Sequence, residues 1–151
     1  MSASQILGWL RERVGPQADL CLDSRQVSPG DVFFACPGYA GDGRDYIAQA
    51  IAQGAAAVVT ELMPDAAQAA SLSVPVLEVD SLQQQLGQIA HEWYGRVSAK
   101  MSVIAITGTN GKTSTVHWIA QALNDAGVPC GTIGTLGVVM PDGTVFEGHL
   151  T

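Results

Sequence analysis

Residues 105–114, Ala-Ile-Thr-Gly-Thr-Asn-Gly-Lys-Thr-Ser, hold the chain's clearest chemistry. Gly111-Lys112-Thr113 matches the end of a phosphate-binding loop of the form G-x-x-x-x-G-K-[ST]. That pattern asks for glycine at 106, where this chain has Ile106, and a glycine stands instead at Gly108. The shortened turn keeps every group the chemistry needs. Glycines let successive N–H groups curl inward toward an anion, and a helix N-terminus adds about half a positive charge at the same place. In this reading Gly108, Thr109, Asn110, Gly111, Lys112, Thr113 and Ser114 hold the phosphates of a nucleotide. Lys112 is the catalytic cation at the β- and γ-phosphates, and the Thr113 hydroxyl is the Mg²⁺ ligand.

Such a loop needs a strand before it and a helix after it. The apolar run Met101–Thr107 is expected as a strand buried on both faces of a parallel sheet. Residues 112–126 are expected as a helix with Val116, Ile119, Ala120 and Leu123 inward, closed by Gly127 and Pro129. After it, 130–148 reads as a strand and a hairpin turned at Pro141-Asp142-Gly143.

The preceding residues form a separate α/β pattern. A helix begins at Ser2 or Ser4, carries Ile6, Leu7, Leu10 and Val14 on one face and ends at Gly15-Pro16. Strands are expected at Leu20–Leu22, Val32–Cys36, 55–61 and 74–79. A helix from Tyr46 is capped by Gly54, a short Ala-rich helix precedes the last strand, and a helix capped by Ser81 carries Leu82, Leu86, Ile89, Ala90 and Trp93. The fold class is α/β: a small N-terminal domain over 1–98, then the start of a P-loop-type parallel-sheet ATPase domain over 99–151.

Of the 151 residues, 47% are hydrophobic and 14% charged, which places the chain among globular proteins. The net charge of −7 argues against a nucleic-acid partner, because that surface needs clustered cations. No apolar run approaches the roughly 20 residues of a membrane helix, so no membrane insertion is expected, and the location is read as cytoplasmic. Cys21, Cys36 and Cys130 are widely spaced and read as reduced thiols. His91-Glu92 opens like the zinc motif H-E-x-x-H, but Gly95 stands where its second histidine would be. His117 and His149 suggest no constellation.

Thr-Gly-Thr-Asn-Gly-Lys-Thr-Ser resembles the ATP-binding loop of the Mur ligases and their folylpolyglutamate synthetase relatives, which use this shortened form. The segment 22–61 combines Asp23-Ser24-Arg25, Pro29-Gly30-Asp31 and Asp42-Gly43-Arg44 before Tyr46-Ile47. It resembles the uridine-binding domain of the tripeptide-forming branch of that family. The resemblance implies that Leu22, Ser24 and the segment Tyr39, Ala40, Gly41 contact the uridine end of the substrate. Family members often have His-Gln-Ala at that segment, so Tyr39 and Ala40 act there through the backbone. Thr151 matches a threonine near the substrate's phosphate and sugar.

The implied activity is ATP-dependent amide formation in peptidoglycan synthesis. The terminal carboxylate of UDP-MurNAc-L-Ala-D-Glu is phosphorylated and the resulting acyl phosphate is attacked by a diamino acid, meso-diaminopimelate in preference to L-lysine. The implied cofactors are ATP and Mg²⁺. A carbamylated lysine, a second acidic metal ligand and a C-terminal domain lie beyond Thr151 in the family pattern, so the 151-residue chain is not expected to catalyse alone. Two alternatives stay open: a D-Ala-D-Ala-adding Mur ligase, and a non-catalytic UDP-sugar or ATP-binding module.

Overall fold

A computed structural model describes residues 1–38, 41–62 and 72–146. The chain divides into two compact units, Met1–Met101 and Ser102–Thr151.

The first unit is a parallel sheet covered on both faces. Strands β1 (Leu20–Cys21), β2 (Val32–Ala35), β3 (Ala57–Glu61) and β4 (Val76–Val79) pair in that order, every pair parallel. Helices α1 (Ala3–Arg11) and α3 (Leu82–Trp93) cover one face, and the short α2 (Ile47–Ala52) covers the other. The period of two in a strand explains how β2 serves both layers. Val32 and Phe34 join the cluster of Ile6, Leu10, Leu82 and Ile89 from α1 and α3. Phe33 and Ala35 face the opposite way, onto Ile47 and Ala50.

Helix α1 starts at Ser2, whose hydroxyl accepts from the Gln5 amide while the Gln5 side chain accepts from the Ser2 amide, a reciprocal capping box. The expected cap at Ser81 is not made. Ser81 is left-handed (φ 56°) and its side chain makes no capping bond. The turn out of β4 imposes that conformation, and the Gln83 amide in the first turn of α3 donates instead to Glu61 Oε2 at the end of β3, 3.4 Å away. A tertiary contact thus supplies the cap. The Ala-rich helix expected near 63–71 lies outside the described residues.

In the second unit, α4 (Lys112–Asp125) packs against β5 (Thr132–Gly134), which forms an antiparallel sheet with β6 (Gly137–Val139) and β7 (Val145–Phe146). The predicted turn at Pro141–Gly143 joins β6 to β7, and a second, two-residue turn at Thr135-Leu136 joins β5 to β6. The predicted strand before the loop does not form. Residues 102–107 pair with no strand among the described residues, and Val103 and Ile104 are 75% and 60% exposed. Apolar character makes such a run ready for a sheet, but a strand exists only through its ladder.

Candidate nucleotide and anion sites

The loop between residue 107 and α4 turns on two glycines. Gly108 has φ +145° and Gly111 φ +79°, both in the region that side chains with a Cβ avoid, and Gly111 is the N-cap of α4. The amides of Gly108, Thr109, Asn110 and Gly111 donate to no acceptor among the described residues. The first-turn amides of a helix have no intrahelical partner either, so the loop and helix start present a row of open donors. Lys112 folds back over this row, its Nζ donating to the carbonyls of Gly108 and Thr109. Thr115 anchors the turn from behind through Oγ1 to Gly111 O at 2.9 Å.

Ile106, which replaces the first glycine of the longer motif, lines a cavity of about 170 Å³ together with Thr113, His117, Thr132, Thr135 and Leu136. The first glycine has moved to 108 while Gly111 keeps its place, and these two carry the positive φ angles, so a bulky side chain at 106 is tolerated. Thr113 Oγ1 and Thr135 Oγ1 are 3.2 Å apart across this cavity. Sequence reasoning missed Thr135. Its signal is the Gly134-Thr135-Leu136-Gly137 turn, where the glycines bracket a two-residue reversal that aims Thr135 at the loop. One neutral hydroxyl beside open amides suits Mg²⁺ held mainly by phosphate and water oxygens, so the residues present fit Mg²⁺-nucleotide. Among the described residues no three His, Cys, Asp or Glu side chains gather as a metal cluster.

In the first unit, the carboxyl ends of the parallel strands share one edge, the place where open α/β sheets bind ligands. Leu22 follows β1 there and is 61% exposed. Ser24 is buried, and its hydroxyl donates to Gln49 Oε1 of α2 at 3.1 Å. Gly41 is exposed, its carbonyl accepting from the Gly38 amide at 2.8 Å. Tyr39, Ala40 and Thr151 lie outside the described residues, as does His149.

Two Asp-x-Arg turns frame this edge. Asp23 and Asp42 each cap a 3₁₀ turn by accepting from the amide two residues on, and each grips the guanidinium of that residue, Arg25 or Arg44, with both carboxylate oxygens. Arg25 holds the Asp23 carboxyl at about 2, and Arg44 lowers that of Asp42. Gly43 sits against the end of β2, its amide donating to Cys36 O at 2.9 Å, and a Cβ there would stand 2.7 Å from that oxygen. Burial first, then nearby carboxylates, pushes the Cys21 and Cys36 thiols up to about 11. His91 bonds Ser98 Oγ through Nδ1 at 2.6 Å, a tie between α3 and the turn after it.

The family model for the Mur ligase catalytic domain matches residues 19–94, and that for the Mur ligase middle domain matches 106–149. The chain belongs to the Mur ligase family. It is 49% identical over 133 residues to the UDP-N-acetylmuramoyl-L-alanyl-D-glutamate–2,6-diaminopimelate ligase of Pseudomonas putida, covering 87% of this chain and 25% of that protein. The enzyme of the same name from Xanthomonas oryzae is 44% identical over 156 residues, covering 100% of this chain and 31% of that one. The chain therefore spans between a quarter and a third of these relatives' length. Among solved structures it resembles a MurF ligase from Thermotoga maritima in complex with ADP (TM-score 0.55, 29% identity, 73% of this chain and 24% of that one). It also resembles a 2,6-diaminopimelate ligase (TM-score 0.57, 26% identity, 84% of this chain and 26% of that one). Among the described residues of this Mur ligase chain, no helix is long and apolar enough to cross a membrane.

Proposed function

We propose that the protein containing this chain is the ATP-dependent ligase that adds meso-diaminopimelate to UDP-MurNAc-L-Ala-D-Glu in the cytoplasm. The identity of 44–49% to enzymes bearing that activity in their names carries this reading. In it, residues 1–98 bind the uridine end of the substrate at the carboxyl edge of the sheet, through Leu22, Ser24 and the 39–41 segment, and Thr151 approaches the phosphate and sugar. Residues 99–151 open the ATP-binding domain.

Within that domain the open amides of residues 108–114 cradle the nucleotide phosphates, and Lys112 leaves the Gly108 and Thr109 carbonyls to neutralise charge on the transferring phosphoryl group. Thr113 would hold Mg²⁺, which would supply charge to offset that of the nucleotide phosphates. The phosphoryl group passes to the substrate carboxylate, releasing ADP. The diaminopimelate amine then attacks the acyl carbon, the C–O bond to phosphate breaks, and the amine proton leaves.

Turnover of the complete protein with ATP, UDP-MurNAc-L-Ala-D-Glu and each of meso-diaminopimelate, L-lysine and, on the tripeptide substrate, D-Ala-D-Ala tests the assignment. ATP-dependent product with meso-diaminopimelate is expected, and its loss in Lys112→Ala with the fold retained. Product with D-Ala-D-Ala alone would move the protein to the sister activity, and no product with any amine would leave a binding module.

A further inference from the structure

Thr113 and Thr115 stand two residues apart at the start of α4 and use their hydroxyls differently. Thr115 Oγ1 donates back to the Gly111 carbonyl at 2.9 Å, the usual local bond of a threonine inside a helix. Thr113 makes no such bond among the described residues. Its Oγ1 meets Thr135 Oγ1 instead, 3.2 Å away on the turn between β5 and β6. Thr135 is exposed, and its hydroxyl has no other partner among the described residues. The backbone fixes where it stands. Gly134 and Gly137 pair across the turn, Gly137 takes φ +91°, and Thr132 is buried where β5 packs on α4.

A hydroxyl carries one proton and two lone pairs. Two hydroxyls that face each other leave the direction of their bond open, since either can donate. A metal ion removes that freedom. With Mg²⁺ on a lone pair of Thr113 Oγ1, the Thr113 proton turns away from the metal and needs an acceptor, and Thr135 Oγ1 is the one the structure supplies. Having accepted, Thr135 must place its own proton elsewhere. The space beside it is the cavity of about 170 Å³ that it lines with Lys112, Thr113 and His117. Among the described residues no carboxylate lines that cavity, so an anion there meets a cation and hydroxyl donors without an acidic competitor.

We infer that Thr135 donates its hydroxyl proton to the terminal phosphoryl group of the bound nucleotide, at the end of a one-way chain that starts at Thr113. This rests on the proposed reading of residues 108–114 as the nucleotide loop. The loop amides line the phosphates from one side. Thr135 arrives from the facing wall of the cavity, beside the hydroxyl proposed to hold the metal that bridges the two outer phosphates.

Titration calorimetry of the complete protein with ADP and with a non-hydrolysable ATP analogue, both at saturating Mg²⁺, tests it in the wild type, Thr135→Val and Thr135→Ser. Valine keeps the side chain's shape and loses the hydroxyl. Thr135→Val lowers the analogue-to-ADP affinity ratio roughly ten- to hundredfold, the range of a hydrogen bond to a charged group. Thr135→Ser keeps that ratio within about twofold. The ratio is insensitive to partial loss of folded protein, which affects both nucleotides alike. An unchanged ratio in Thr135→Val overturns the inference, even where both nucleotides weaken together, because Thr135 then serves only Thr113 and the metal. A loss in Thr135→Ser as large as in Thr135→Val also overturns it, because the effect then traces to the methyl group. A wild-type protein that binds neither nucleotide overturns the nucleotide-loop reading itself.

Discussion

Replacing Gly43 by alanine measures how tightly the loop carrying the proposed uridine contacts is seated. A Cβ at this position would stand 2.7 Å from Cys36 O, 3.0 Å from Cys36 N and 3.4 Å from Ala35 Cα. All three are backbone atoms at the end of β2, so no flexible side chain can swing aside. Forcing a methyl into such a site costs about 1–3 kcal/mol. The displacement also threatens the 2.9 Å bond from the Gly43 amide to Cys36 O, worth about 1 kcal/mol. Against this, alanine loses less backbone freedom on folding and recovers up to about 1 kcal/mol. The net expectation is a loss of about 1–3 kcal/mol, or at least about 4 °C in the melting temperature of a unit of this size. The assay is thermal unfolding followed by circular dichroism, with Gly87→Ala as the control. Gly87 is exposed within α3 with nothing within 4 Å of an added Cβ, so alanine there stabilises by about 1 kcal/mol. Uridine binding should weaken in Gly43→Ala and not in the control. An unchanged melting temperature in Gly43→Ala would refute the reasoning from close approach.

Leu10 is fully buried between α1, α3 and the sheet, so Leu10→Ala should destabilise the first unit by about 2–5 kcal/mol, read from denaturant unfolding. With thiols at about 11, Cys21 and Cys36 are only about one part in a thousand thiolate at pH 8; their alkylation should be slow there and climb as pH rises toward 11, and rapid labelling at pH 7 would contradict the burial argument. Thr135→Val removes the partner of the Thr113 hydroxyl, so the complete protein should need a several-fold higher Mg²⁺ concentration for nucleotide binding, with Thr135→Ser restoring it; an unchanged Mg²⁺ dependence would show the 3.2 Å contact to be incidental. The Asp23–Arg25 pair is intact above the ordinary carboxylate range and is lost as pH falls from there toward about 2, so the difference in melting temperature between wild type and Asp23→Asn should hold constant from pH 5 to 8 and shrink below about pH 4; a difference that changes between pH 5 and 8 would contradict the pairing.

Local chemistry was legible in the sequence because it depends on neighbours along the chain. The Ser2 cap, the apolar face of α1 and the Pro141–Gly143 turn all follow from residues within a turn or two of each other. The Gly108–Thr113 loop is of the same kind, since its left-handed glycines and open amides are backbone properties of a short segment. What the tertiary structure alone decided concerns residues far apart in sequence. Glu61 caps α3 in place of Ser81, from 22 residues away. Thr135 meets Thr113 only because a two-residue turn brings β5 and β6 back beside α4. Met101–Thr107 has every local mark of a strand and is not one, because a ladder requires a second segment and none of the described residues supplies it. Likewise, Asp23-Ser24-Arg25 and Asp42-Gly43-Arg44 read alike as sequence. One arginine is locked and the other open because the carbonyl of Leu62 stands beside only one of them, and which carbonyl a side chain meets is settled by how the strands assemble.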